Sequence, residues 1–196
     1  MIAIIDYGSG NIASLTNALG RLGVASTVTA DPKVIVRAQG VIFPGQGRAG
    51  SAMQALRATG LNELIPTLTQ PFLGICLGMQ LLTWFTEEDE TKGLGIIEAA
   101  CYRFPSTLTV PQVGWNSIRI VRECPILIDI AEGSYFYFVH SYYAYDRSSS
   151  LVATTSYGLD YASIVQKDNF FGVQFHPEKS GESGMQLLHN FVSLCS

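Results

Sequence analysis

The stretch Gly74-Ile75-Cys76-Leu77-Gly78 follows an apolar run, PFLGI, and opens a helical pattern, LGMQLLTWF. Glycine-x-cysteine-x-glycine is the spacing of a nucleophile elbow. A sharp strand-to-helix turn there lifts the Cys76 side chain out at the carboxyl edge of a sheet, and glycines on either side relieve the crowding. The N-terminus of the next helix brings positive potential that favours thiolate over thiol. The backbone N–H of Leu77 is left for a developing oxyanion. The plain alternative is a buried structural cysteine.

A second stretch, GVQFHPEKSG, supplies a base. Pro177 forces His176 into an extended conformation, so Glu178, two residues on, projects to the same side as His176. His176 can take a thiol proton, and Glu178 can fix its tautomer and stabilise the imidazolium. A surface histidine in a turn is the alternative. Of the other histidines, His140 ends the run YFYFV and reads either as a site or as a core residue. His189 lies in the last helical segment without a carboxylate neighbour and reads as structural. A third stretch, FPGQGRAG, places Gly45, Gln46 and Gly47 after a strand, where backbone N–H groups can approach a reacting carbonyl.

The elements that must position these groups alternate in the first half of the chain. IAII, ASTVTA, GVIFPG and PFLGI read as strands, the last two as runs buried on both faces. Asn11 suits a helix N-cap before Ile12, Leu15, Leu19 and Leu22, and Gly23 ends that helix. Two helical pieces follow around 49–58 and 61–68. Such alternation argues for a parallel sheet with helices on both faces. From about residue 96 the segments are short and β-like, an antiparallel or mixed extension. A last helix spans about 183–194 on a face of Met185, Leu188 and Val192. RSSS at 147–150 reads as a surface turn. Trp84, Trp115 and the aromatics of YFYF read as core. No linker or repeat interrupts the chain, so residues 1–196 are expected to form one domain.

Composition narrows the classes. Of 196 residues, 47% are hydrophobic and 14% charged, an apolar and compact balance, and the formal net charge is −4. No Lys/Arg cluster marks a nucleic-acid footprint. The four cysteines form no C-x-x-C pair and the histidines complete no zinc spacing. The opening MIAII, ended by Asp6, is too short for a membrane span or signal core and reads as the buried first strand of a cytoplasmic enzyme. GSGNIA has Gly8, Gly10 and Ala13 at dinucleotide-loop spacing, with Asp31 near the position of a ribose-binding acid. Asp31 is followed by Pro32 in what reads as a turn, and a nicotinamide site needs neither a cysteine elbow nor an HPE sequence.

Taken together, GICLGMQ and HPE resemble the class I glutamine amidotransferases, a family with a Cys-His-Glu triad on a three-layer, flavodoxin-like α/β fold. IDYGSGN, PGQG, VPQVGWN, YFVHSYY and GVQFHPEKSG are similar to the glutamine amidotransferase subunits of imidazole glycerol phosphate synthases, over essentially the whole chain. The resemblance implies hydrolysis of glutamine through a thioester on Cys76, with His176 as base and then acid and Glu178 orienting it. It implies an oxyanion hole from Leu77 N–H and the Gly45-Gln46-Gly47 loop, and glutamine held by Gln80, Ser141 and Tyr142. Gln80 lies one helical turn past Cys76 and can face the same cleft. Gln46 departs from the family pattern, which has valine there. No cofactor or metal is implied. The implied partner is a cyclase subunit with a TIM-barrel fold in a heterodimer, which takes up the ammonia in histidine biosynthesis and meets the turn after Asp6. Other amidotransferase subunits (for pyridoxal phosphate, anthranilate or GMP synthesis), a thiol hydrolase of glutamyl peptides and a non-catalytic partner subunit are the competing readings.

Overall fold

The fold is that of a computed structural model, which describes residues 1–8, 12–146 and 148–195. The first half runs β1 (Ile2–Ile5), α1 (Ile12–Arg21), β2 (Ser26–Thr29), α2 (Pro32–Arg37), β3 (Gly40–Phe43), α3 (Ala49–Ala58), α4 (Leu61–Leu64), β4 (Phe72–Ile75) and α5 (Leu77–Leu82). The strands β5 (Thr83–Thr86), β6 (Thr91–Lys92), β7 (Ile97–Arg103), β8 (Gln112–Ser117), β9 (Arg119–Ile120), β10 (Tyr135–His140), β11 (Tyr142–Tyr145), β12 (Leu151–Ser156), β13 (Asp160–Lys167) and β14 (Phe170–Val173) follow. The helix α6 (Gly181–Ser193) comes last.

Among the described residues the main sheet has the order β2-β1-β3-β4-β14-β13-β11-β7-β5-β6, with β12 and β9 branching from β13. From β2 to β14 every pairing is parallel. Beyond β14 the sheet turns antiparallel, apart from the parallel pair β5/β7. The expected mainly parallel sheet with a mixed extension is therefore observed. Side-chain alternation divides its core: Ile2 and Ile4 of β1 join one apolar cluster with Leu15, Leu19 and Phe191, while Ala3 and Ile5 join another with Phe43, Leu56 and Phe72. A strand covered on both faces needs apolar residues at every position, which is why IAII, GVIF and FLGI are continuous runs.

Five expectations change. Pro177–Lys179 forms a 3₁₀ turn that Pro177 opens, so Glu178 does not follow His176 in an extended run. The helix after Cys76 stops at Leu82: Thr83 Oγ1 donates back to Gln80 O at 2.7 Å, and Thr83–Thr86, rich in β-branched and aromatic side chains, pairs with β7. Pro32 opens α2 rather than a turn, and Asp31 is its N-cap, accepting from Lys33 N at 2.8 Å. That bond accounts for Asp31 without a ribose. The buried face of α6 is Leu187, Leu188 and Phe191, with Met185 and Val192 at its margin. Trp84 and Trp115 are exposed, 55% and 56%, and YFYF splits by alternation: Phe136 and Phe138 are buried, Tyr135 is exposed. The proposed N-cap Asn11, Gly10 of the glycine turn and Arg147 of RSSS lie outside the described residues. All four cysteines are free and buried.

One separate piece matters for the site. β8 and β10 pair only with each other as an antiparallel ribbon, with Tyr137 opposite Trp115 and Val139 opposite Val113. The ribbon is pinned to the loop after β14 by His176 N–H to Tyr137 O at 2.9 Å, and by Tyr137 N–H to Ser180 Oγ at 3.0 Å.

Candidate active site

Cys76 stands between β4 and α5 with φ 53° and ψ −108°, a left-handed backbone rare for a residue with a side chain. The turn is held by Cys76 N–H to Val173 O at 2.8 Å. The flanking glycines are steric necessities. A Cβ on Gly78 would stand 2.0 Å from the Phe43 carbonyl oxygen, and one on Gly74 would stand 2.7 Å from Gly78. The strand and helix could not approach with any larger residue.

Register brings in the second stretch. β14 lies parallel to β4 with Val173 beside Ile75, so the chain leaves both strands at the same sheet edge. His176 and Glu178 then fall next to the elbow. His176 Nδ1 and Glu178 Oε1 are 2.9 Å apart, with both side chains almost wholly buried, 2% and 3% exposed. Burial alone would lower the His176 pKa. Its contacts with Cys76 and Glu178 outweigh that and raise it to about 10, so His176 holds a proton more firmly than a free imidazole. His176 Nε2 is buried without a hydrogen-bond partner among the described residues. The Cys76 Sγ is 3.8 Å from Val139 O of the ribbon.

These groups open onto a cleft of about 430 Å³, a size that suits a small molecule. Gly45, Gln46, Gly47, Cys76, Leu77, Gln80, Ser141, Tyr142 and His176 all line it, as do Glu88, Tyr137, Val139, His140 and Lys179. Of the residues singled out from sequence, Glu178 alone stands behind the wall, against His176. The 45–47 loop presses on the elbow: a Cβ on Gly45 would be 2.4 Å from the Leu77 Cβ, and Gly47 has φ 127°. Gln46 N–H donates to Tyr7 Oη at 3.0 Å, and Tyr7 Oη lies 3.1 Å from Gln46 O. Gln80 Nε2 donates to Tyr142 O at 2.8 Å, which leaves its Oε1 as the remaining polar pole.

Sequence reading left His140 open and missed Glu88, Tyr7 and Gln174. His140 is a cleft residue and a buried one at once, packed against Phe104, Phe138 and Tyr161. Its Nδ1 is 2.7 Å from Tyr142 O, an acceptor, so Nδ1 carries the proton. Glu88 accepts from Ala49 N at the start of α3, and desolvation raises its carboxyl pKa. No local pattern points from EEDE to the cleft. Gln174 had a signal: read as an extended run, GVQFH puts Gln174 on the same side as His176, although the backbone bends at 174–175.

Burial pushes the His140 pKa down to about 4, with His176 adding to the shift and the Tyr142 bond opposing it. A base with a depressed folded pKa resists protonation in the folded state, whereas the unfolded chain takes up the proton near 6.5. Stability is therefore expected to fall as pH drops from about 6.5 towards 4, by up to about 3 kcal/mol from this residue. Chemical denaturation across that range checks it. His140→Asn, whose side-chain NH2 takes the place of Nδ1–H toward Tyr142 O but does not titrate, should show a shallower acid slope; equal slopes would remove His140 as the cause.

Comparison with known proteins supplies the lineage. The family model described as Glutamine amidotransferase class-I matches residues 3–195. The chain belongs to the class I glutamine amidotransferase family. It is 45% identical to the imidazole glycerol phosphate synthase subunit HisH of Desulfovibrio desulfuricans, covering 100% of this chain and 95% of that one. It is 46% identical to the HisH of Haemophilus influenzae, covering 97% and 96%, and 44% identical to that of Archaeoglobus fulgidus, covering 99% and 98%. Two solved structures share the fold at low identity: a glutamine amidotransferase (TM-score 0.78, 16% identity, 100% and 99% covered) and PurLQS from Thermotoga maritima (TM-score 0.75, 16% identity, 98% and 97% covered). Among the described residues no helix is long and apolar enough to cross a membrane.

Proposed function

We propose that this amidotransferase is the glutaminase subunit of an imidazole glycerol phosphate synthase, acting in the cytoplasm in histidine biosynthesis. The observation that carries the chemistry is Cys76 at a strained elbow, with His176 beside it on the wall of the cleft and the buried Glu178 behind His176. His176 takes the thiol proton of Cys76, and the sulfur attacks the carboxamide carbon of glutamine. The oxyanion is received by Leu77 N–H and an N–H of the 45–47 loop. His176 gives its proton to the leaving nitrogen, ammonia departs, and a thioester remains. His176 then takes a proton from water, the hydroxyl attacks the thioester, and His176 returns that proton to the departing sulfur, which leaves glutamate and the free thiol. Glu178 holds the imidazole in place through both steps. Gln80, Ser141 and Tyr142 line the part of the cleft left for the amino-acid end of glutamine.

The pathway reading rests on the full-length likeness to HisH subunits. An exposed apolar surface beside the cleft, with Val113, Trp115 and Tyr135 on the ribbon, suits assembly with a cyclase subunit. Handing ammonia directly to a partner has a physical reason: released ammonia is mostly protonated near neutral pH and is then no nucleophile. Glutamate release is expected to be weak for the chain alone. It should rise strongly with a TIM-barrel cyclase subunit and its phosphoribosyl carboxamide nucleotide. Full turnover without any partner would point instead to a free-standing hydrolase.

The Tyr7 contact bears on the resting activity. Gln46 N–H cannot serve an oxyanion while it donates to Tyr7 Oη. Tyr7→Phe is therefore expected to raise partner-free glutamate release by about threefold or more, by favouring a loop state with that N–H released. An unchanged basal rate would rule out Gln46 N–H as the oxyanion donor.

A further inference from the structure

A buried polar chain runs from the cleft residues Tyr142 and Gln80 back to Gln174, which the proposed steps do not use. Tyr142 O accepts from Gln80 Nε2 at 2.8 Å, Gln80 Nε2 donates to Gln174 Oε1 at 2.9 Å, and Gln174 Nε2 lies 3.6 Å from Cys76 Sγ. Gln174 is wholly buried, and Gln80 is 4% exposed.

The direction of this chain is fixed from one end. A backbone carbonyl only accepts, so Gln80 must turn its NH2 towards Tyr142 O. The same NH2 then meets Gln174, which must answer with its Oε1. The Gln174 NH2 is left facing the sulfur. Reversing Gln80 would set its oxygen against Tyr142 O, two acceptors, and reversing Gln174 would set its NH2 against that of Gln80, two donors; either leaves a buried polar group unsatisfied. His140 strengthens the anchor, since its Nδ1–H also points at Tyr142 O.

We infer that Gln174 is a further residue on the reacting sulfur: its side-chain N–H, aimed by the Tyr142–Gln80 relay, donates to Cys76 Sγ, fixes the sulfur's position and stabilises the thiolate. The inference rests on Cys76 being the nucleophile. It gives the sulfur a donor that stays in place when His176 gives up its proton. A thiolate gains more from an N–H donor than a thiol does. The backbone predisposes the contact: β4 and β14 end side by side at Ile75 and Val173, Cys76 N–H donates to Val173 O, and Cys76 and Gln174 are the next residues of the two segments.

The test uses the full chain with Gln174→Met, which fills similar space without polar atoms, and Gln174→Glu, which can accept from Gln80 but offers the sulfur no N–H. Iodoacetamide labelling of the Cys76 peptide is followed by mass spectrometry at pH 7 and pH 10, with thermal unfolding as the folding control. Gln174→Met is expected to label about fivefold more slowly than wild type at pH 7 and within twofold of it at pH 10, and Gln174→Glu more slowly still at pH 7. In the complex with the cyclase, kcat for glutamate release should fall with glutamine KM little changed. Wild-type labelling and turnover in Gln174→Met would reduce Gln174 to packing and overturn the inference. If Gln174→Met does not fold, the side-chain amide resonances of Gln174 in the wild-type chain decide: one amide proton should move when Cys76 is alkylated, and no movement overturns it. Labelling requires no glutamine, so a complex that releases no glutamate would refute the glutaminase reading while leaving this test intact.

Discussion

Replacing Cys76 by alanine is expected to lower glutamate release by about 10⁴-fold or more, in the chain alone and in the complex. No other cysteine can substitute. Cys101, Cys124 and Cys195 are buried away from the cleft, and burial pushes the Cys101 thiol up to about 12 and that of Cys195 to about 11. The loss should be confined to the glutamine half of the reaction: with an ammonium salt supplied, the Cys76→Ala complex should still make the cyclase product. A complex silent with both nitrogen sources would mean that the substitution damaged assembly and not the nucleophile alone. The elbow adds a second readout. Cys76 occupies a backbone conformation that glycine adopts freely and alanine does not. Cys76→Gly should therefore be equally inactive yet more stable than Cys76→Ala, by about 1 kcal/mol. Equal stabilities would show that the turn stores no strain.

Glu178→Gln should lower kcat by about 10²-fold while changing the glutamine KM no more than two- to threefold. Glutamine is not expected to touch Glu178, which stands behind His176 with Oε1 2.9 Å from Nδ1. A neutral amide can still accept from Nδ1–H, so the ring should stay in place. What disappears is the negative charge that helps hold the imidazolium. The same charge has a signature in stability. His176 has its folded pKa raised to about 10 from an ordinary 6.5. Its contribution is fully present below about 6.5 and is lost as pH rises through about 10, because over that window the folded state binds more protons than the unfolded chain. In Glu178→Gln the alkaline fall in stability should become shallower, with the Cys76 contact still supplying part of the shift. Thermal unfolding between pH 6.5 and 10 measures it. An unchanged alkaline slope together with a wild-type kcat would remove Glu178 from the site.

Local sequence determined the pieces that depend on local physics. Continuous apolar runs such as GVIF and FLGI, four residues long and next to glycine or proline, read as strands covered on both faces, and they are. Glycines at 74 and 78 around a cysteine announce a turn too tight for side chains, and the Phe43 carbonyl occupies the space a Cβ would need. Proline after His176 set the extended backbone of His176 itself, but a 3₁₀ turn over Pro177–Lys179, and not extended alternation, puts Glu178 beside the imidazole. Tertiary structure decided what depends on distant segments. Trp84 and Trp115 carry no local mark of exposure; they are exposed because β5 and the β8/β10 ribbon each leave one face uncovered. His140 could be read either way until the ribbon brought it to the cleft and burial lowered its pKa. LGMQLLTWF reads as one helix by periodicity, and only the pairing of Thr83–Thr86 with β7 divides it. Gln174 and Gln80 are 94 residues apart, and the bond between them exists because β14 lies against β4 in one register. Shifted by one residue, that register would turn Gln174 away from the sulfur, since successive side chains on a strand point to opposite faces.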